Sequence, residues 1–212
     1  MKSFIPLLLL FIFFSSCKQN KSTPSSKTKS LEKKVEITDT KISDSNEPTI
    51  FKTSTGKSIS LLIDKKNSSL NDLKIVALDF TNTKDTFKIE DCDPLQNAWI
   101  HDLDQNGYDE LYLITASAGS GSYATIYGYA SNQDLSMTPI YIPEISEKDL
   151  LPEGVFYGYM GHDSIYISDN KIHRKFPIYK DGDANCCPSG GNKTLGYELK
   201  QGEASWILKL EN

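Results

Sequence analysis

Three stretches of this sequence hold residue types at spacings that could do chemistry. In Asp102-Leu103-Asp104-Gln105-Asn106-Gly107-Tyr108-Asp109-Glu110, side-chain oxygens stand at positions 1, 3, 5 and 9, with glycine at position 6. A tight turn of that kind can converge Asp102, Asp104, Asn106 and Glu110 on a hard cation such as calcium. Leu113 occupies the twelfth position, so no bidentate glutamate closes the shell as in an EF-hand. The same residues also suit a metal-free hairpin, in which Asx side chains accept backbone N–H bonds and Asn106-Gly107 supplies positive φ.

The second stretch is Ser117-Ala118-Gly119-Ser120-Gly121-Ser122-Tyr123, small residues ending in an aromatic. Gly119 and Gly121 permit close approach of another surface. Ser120 and Ser122 offer hydroxyls without bulk, and Tyr123 is a stiff anchor that loses little entropy on binding. A phosphate cradle needs a helix N-terminus and a nearby lysine. The flanking patterns are strands, so nucleotide binding is not expected. The bland counterpart is a flexible hairpin tip.

The third stretch, Asp181-Gly182-Asp183-Ala184-Asn185-Cys186-Cys187-Pro188-Ser189-Gly190-Gly191, is rich in turn formers and holds two of the four cysteines. In an oxidising compartment Cys92 is expected to pair with Cys186 or Cys187, closing a long loop worth up to about 4–5 kcal/mol in the chain-entropy model. A vicinal Cys186–Cys187 bridge is the alternative. Zinc is disfavoured, because neither CxxC spacing nor a neighbouring histidine is present.

Catalysis finds little support. The histidines are His101, His162 and His173, no pair of them has metal-ligand spacing, and no Gly-x-Ser-x-Gly elbow surrounds a serine. His101 beside Asp102 reads as a strand-end residue rather than a base. The acids of 102–110 crowd one turn, whereas a sugar-cleaving pair must flank a cleft.

The elements that must position these loops read as antiparallel β. Short apolar runs at 58–61, 73–80, 86–90, 98–100, 110–115, 125–129, 164–167, 171–178, 194–199 and 205–210 are separated by turn residues. Within 86–90, Phe87 and Ile89 alternate with polar neighbours, the period of a half-buried strand. Only 145–151 suggests a helical turn. Eight to ten strands at this spacing predict one all-β domain, an antiparallel β-sandwich over 49–212. A propeller is disfavoured because no 40-residue repeat is visible.

The first 48 residues read as an address and a leash. Met1-Lys2 is followed by an apolar run over 4–14, interrupted only by Pro6, and then by Ser15-Ser16-Cys17. The run is too short to span a bilayer as a helix but fits a signal-peptide core. Small residues before a cysteine at that place match a bacterial lipobox, with Phe14 where leucine is usual. Residues 1–16 are therefore expected to be a lipoprotein signal peptide and Cys17 the lipidated residue. Lys18-Gln19-Asn20 carries no aspartate, which points to the periplasmic side of the outer membrane, with the cell surface as the other possibility. Residues 17–48, rich in Lys, Ser and Thr and without an aromatic, read as a flexible tether.

Charge limits the partners. The chain has 23 basic and 28 acidic residues, and the part from 49 onward has 15 and 23. An acidic domain does not bind nucleic acid through counterion release, but it attracts basic proteins.

Taken in order, several segments resemble the periplasmic inhibitors of invertebrate-type (I-type) lysozyme. They are His101-Asp102-Leu103-Asp104-Gln105-Asn106-Gly107-Tyr108-Asp109-Glu110-Leu111-Tyr112, the 117–123 loop, Arg174-Lys175-Phe176-Pro177-Ile178-Tyr179, Asp181-Gly182-Asp183-Ala184-Asn185, Pro188-Ser189-Gly190-Gly191 and Tyr197. The resemblance covers about 55–212. It implies an antiparallel β-sandwich, commonly dimeric, with no catalytic activity and no cofactor. The family's Ser-Gly-x-Tyr motif falls on Ser120-Gly121-Ser122-Tyr123, and in the family that loop enters the lysozyme cleft. The implied role is protection of peptidoglycan and evasion of host defence. The long tether and the adjacent cysteines depart from the family pattern. The alternative reading, carried by the 102–110 loop, is a calcium-binding surface module used in adhesion or assembly.

Overall fold

The structure is a computed structural model that describes residues 47–81 and 85–211. The expected signal peptide, the lipidation site Cys17 and nearly all of the tether lie outside the described residues.

The described chain folds as three four-stranded antiparallel sheets, each a meander of consecutive strands. The first sheet holds β1 (Thr49–Lys52), β2 (Ser58–Lys65), β3 (Asn71–Ala77) and β4 (Thr86–Cys92). The second holds β5 (Leu95–His101), β6 (Glu110–Ala116), β7 (Ala124–Asn132) and β8 (Ser136–Pro139). The third holds β9 (Ser164–Ser168), β10 (Lys171–Pro177), β11 (Asn192–Gln201) and β12 (Trp206–Leu210). One helical turn, α1 (Glu147–Leu150), links the second sheet to the third; its entry is fixed by a capping box between Ser146 and Asp149.

The fold class is all-β and sandwich-like, with the second sheet as a shared middle layer. On β6 the side chains alternate between two cores. Leu111 and Leu113 pack with Phe51, Ile59, Leu61, Leu73 and Ile75 of the first sheet. Tyr112 and Ile114 pack with Ile172, Phe176, Leu195 and Leu208 of the third. A strand buried on both faces has no polar side to show, so the centre of β6, Leu111-Tyr112-Leu113-Ile114, reads as an unbroken run without period-two alternation. The outer sheets keep the period-two pattern: Leu73, Ile75 and Ala77 of β3 are buried, while Lys74 is exposed. Burying a leucine such as Leu113 contributes roughly 1.5–3 kcal/mol.

Ten of the twelve strands fall where the sequence pattern puts strands. The two it leaves out, β1 and β8, are four residues each. Both are edge strands, and β8 is Ser-Met-Thr-Pro, too short and polar to show a period.

The expected pairing of Cys92 with Cys186 or Cys187 does not form. Cys186 and Cys187 are bridged to each other. Cys92 is a free, buried thiol in the core between the first two sheets, its S–H donating to the Asn71 carbonyl at 3.3 Å. Cys186 and Cys187 sit on the exposed loop between β10 and β11 of the third sheet. The middle layer lies between these two places, so the adjacent thiol is the partner within reach.

Candidate functional site

The 117–123 segment is a finger at the end of the β6–β7 hairpin. The ladder closes at Ala116 opposite Ala124, and the chain then leaves the sheet. Ser117 and Tyr123 close its neck: Ser117 N–H donates to the Tyr123 carbonyl at 3.0 Å, and Tyr123 N–H donates to Ser117 Oγ at 2.9 Å. Across the tip, Ser122 N–H donates to the Gly119 carbonyl at 3.1 Å, with Ser122 at φ 42°. Ala118, Gly119, Ser120, Ser122 and Tyr123 are exposed, Tyr123 at 46%. A Cβ at position 121 would lie 2.4 Å from the Tyr123 ring, so any larger residue there must displace that side chain.

Neighbouring loops brace the finger. His162 N–H donates to the Gly121 carbonyl at 2.6 Å, and Asn185 Nδ2 donates to the Ser120 carbonyl at 3.2 Å. The Tyr179 hydroxyl in turn donates to the Asn185 carbonyl at 2.7 Å, and the His162 ring stacks on Tyr179. Three segments far apart in sequence thus meet behind one loop.

Beneath the finger lies a buried polar knot. The side chain of Asp163 is fully buried, and its Oδ2 accepts from Ala124 N–H at 2.9 Å and from the Tyr159 hydroxyl at 2.6 Å. Arg174 Nε stands 3.7 Å from Asp163 Oδ1, an ion-pair contact too long for a hydrogen bond, while Arg174 Nη2 donates to the Ala124 carbonyl at 3.2 Å. Burial, followed by the hydrogen bond to Asp163, holds the Tyr159 phenol above its ordinary range. The Tyr159 ring meets Tyr123 edge-on at 5.7 Å and Phe176 at 4.8 Å. The exposed aromatic of the finger is therefore seated on a packed aromatic base. A groove of about 420 Å³, lined in part by Tyr123, Ile142, Ile145 and Arg174, runs beside it.

The acidic turn is at the other end of β6. Carboxylate oxygens of Asp102, Asp104 and Glu110 all lie within 4.8 Å of one another. Asp102 accepts from Asn106 N–H at 3.0 Å and from Gly107 N–H at 2.8 Å. Asn106 donates through Nδ2 to Asp104 at 3.1 Å and accepts Tyr108 N–H at 2.8 Å. Glu110 is completely buried. Its Oε2 accepts Leu103 N–H at 2.8 Å, and its Oε1 meets no hydrogen-bond partner among the described residues. Burial first, then the charges of Asp104 and Asp102, push the Glu110 carboxyl up to about 9. Burial also raises the Asp104 carboxyl. Positive φ falls on Gln105 and Gly107, not on the expected Asn106-Gly107 pair, with the Asn106 side chain closing an Asx turn instead. Asp109 turns away from this cluster and accepts Ser54 N–H, tying the turn to the β1–β2 connection.

The histidines do not converge on a reactive residue. His101 is buried at the end of β5, opposite Glu110. His173 lies within β10 against Ser168 and the Tyr166 ring, and His162 serves the finger through its backbone. The sequence pattern assigned nothing to Tyr159, Gly161, His162 or Asp163. Their signal was the alternation of glycines and aromatics in Phe156-Tyr157-Gly158-Tyr159-Met160-Gly161. Both of its glycines adopt positive φ.

No known family model matches this chain. Searches of curated proteins and of solved structures likewise find no match.

Proposed function

We propose that this chain is a proteinaceous inhibitor of lysozyme that inserts the 117–123 finger into the enzyme's active-site cleft. By the sequence resemblance the target is the I-type enzyme. A lipid on Cys17 would hold the inhibitor at the periplasmic side of the outer membrane, where it would shield peptidoglycan. The observation that carries the reading is a finger whose tip residues are exposed while the tip backbone is held in place, with the Gly121 carbonyl bonded to His162 N–H and the Ser120 carbonyl to Asn185 Nδ2. Preorganisation of this kind spares a binding loop the entropy of ordering.

The chemistry suits the target. A glycosidase cleft holds one ionised and one protonated carboxyl. A serine hydroxyl can donate to the first or accept from the second, so Ser120 needs no buried charge. Tyr123, half exposed on its aromatic base, supplies a rigid apolar face with a polar tip, the kind of residue that carries interface energy. The excess of acidic over basic residues from position 49 onward favours encounter with a basic enzyme and makes the on-rate salt-sensitive.

The test is to mix the whole chain with I-type, chicken-type and goose-type lysozymes and follow lysis of cell walls. Inhibition of the I-type enzyme at micromolar inhibitor or below is expected. No inhibition of any of the three refutes the reading.

A further inference from the structure

We propose that Asp102, Asp104 and Glu110 form a calcium site that pins the β5–β6 turn, a role separate from the finger. The argument starts from Glu110. It is completely buried, yet one of its two oxygens meets no donor among the described residues. Folded proteins rarely leave a buried carboxyl oxygen unpartnered, because desolvating it is costly. In place of a donor, the Glu110 carboxylate faces two more carboxylates, those of Asp102 and Asp104. Acids gathered at one point repel one another when ionised, and a cation between them relieves that repulsion.

The spacing fits calcium. Its oxygen ligands lie at about 2.3–2.6 Å, so ligands on opposite sides of one ion are separated by up to about 5 Å. The three carboxylates meet that limit, with oxygens within 4.8 Å of one another. Magnesium, at about 2.1 Å, demands near-ideal octahedral geometry and gives up its waters reluctantly, so it is less suited to a cluster of protein carboxylates. The first ligand is already oriented, since Asn106 and Gly107 N–H groups hold both oxygens of Asp102. Asn106 supports the site from outside it: its amide nitrogen donates to Asp104 and its oxygen is held by Tyr108 N–H. Oxygen ligands alone also suit a hard cation rather than zinc or copper.

The turn and the finger are joined by the seven residues of β6, about 23 Å of extended chain. Calcium at 102–110 therefore braces the middle layer and takes no part in the finger's contacts.

The test uses the whole chain stripped with a chelator and titrated with calcium chloride or magnesium chloride, read by calorimetry and by melting temperature. One calcium per chain should bind with a dissociation constant of roughly 10⁻⁵–10⁻³ M. At about 100-fold excess over that constant the melting temperature should rise by about 5–10 °C. Magnesium should bind at least about tenfold more weakly. Asp104→Asn, at a half-buried position, should lose the calcium response and stay folded. Glu110→Gln, which keeps the buried shape, should lose it too. Terbium luminescence excited through Tyr112, whose hydroxyl is 3.4 Å from Glu110, gives a second readout that disappears in both variants. The proposal is overturned if the folded chain shows neither heat nor a melting shift up to about 5 mM calcium, if magnesium binds as tightly, or if both variants respond like the parent.

Discussion

The backbone N–H of His162 donates to the carbonyl of Gly121 at 2.6 Å, so the residue after Gly161 holds the centre of the exposed finger. The approach is close enough that a Cβ on Gly161 would lie 2.0 Å from that same carbonyl oxygen. Gly161 also sits at φ 85°, where L side chains are strained. Gly161→Ala should therefore displace the finger. The expected cost is about 1–3 kcal/mol of stability, read as a lower melting temperature, together with at least a tenfold loss of lysozyme inhibition. Unchanged inhibition would mean that the brace does not shape the working loop.

Asp163 and Arg174 are the charged floor of the same region, both buried. Removing one partner of a buried pair strands the other charge, at about 3–5 kcal/mol. Asp163→Ala also frees Ala124 N–H and the Tyr159 hydroxyl. Its urea unfolding midpoint should fall sharply, and a change below about 1 kcal/mol would remove the pair from the fold's supports.

Leu113→Ala opens a cavity in the core between the first and second sheets, where Leu113 is fully buried. A loss of about 2–5 kcal/mol is expected from chemical denaturation, with the finger's inhibition retained at low temperature.

Burial pushes the Cys92 thiol pKa up, so the reactive thiolate stays scarce to a higher pH than for a free cysteine. Iodoacetamide should label Cys92 only in denaturant, and raising the pH through about 8.5 should not open it in the folded protein. Peptide mapping without reductant should recover Cys186 and Cys187 bridged to each other. A peptide cross-linking Cys92 to either would contradict the structure.

Much of this molecule was legible in the sequence because local pattern and tertiary environment agree. Phe87 and Ile89 alternate on an outer sheet, and both pack partly buried against the core. The apolar run Leu111-Tyr112-Leu113-Ile114 within β6 marked a strand, but which two cores it separates depends on the far segments 59–75 and 172–208, which periodicity cannot place. The finger was visible as small residues ending in Tyr123. Its brace was not, because Gly161, His162 and Asp163 reach it through backbone geometry and a buried ion pair that leave no regular spacing. The cysteines misled for a related reason: entropy favours closing a long loop, but the layers set Cys92 apart from Cys186 and Cys187.

The most direct measurement is the inhibition constant of Ser120→Ala combined with Tyr123→Ala against I-type lysozyme, beside the unaltered chain and with folding checked by circular dichroism. Truncating a central aromatic anchor costs on the order of 2–4 kcal/mol, so inhibition should weaken by roughly 30-fold to 1,000-fold while the melting temperature holds. A double variant that folds and inhibits as well as its parent would contradict insertion of the finger.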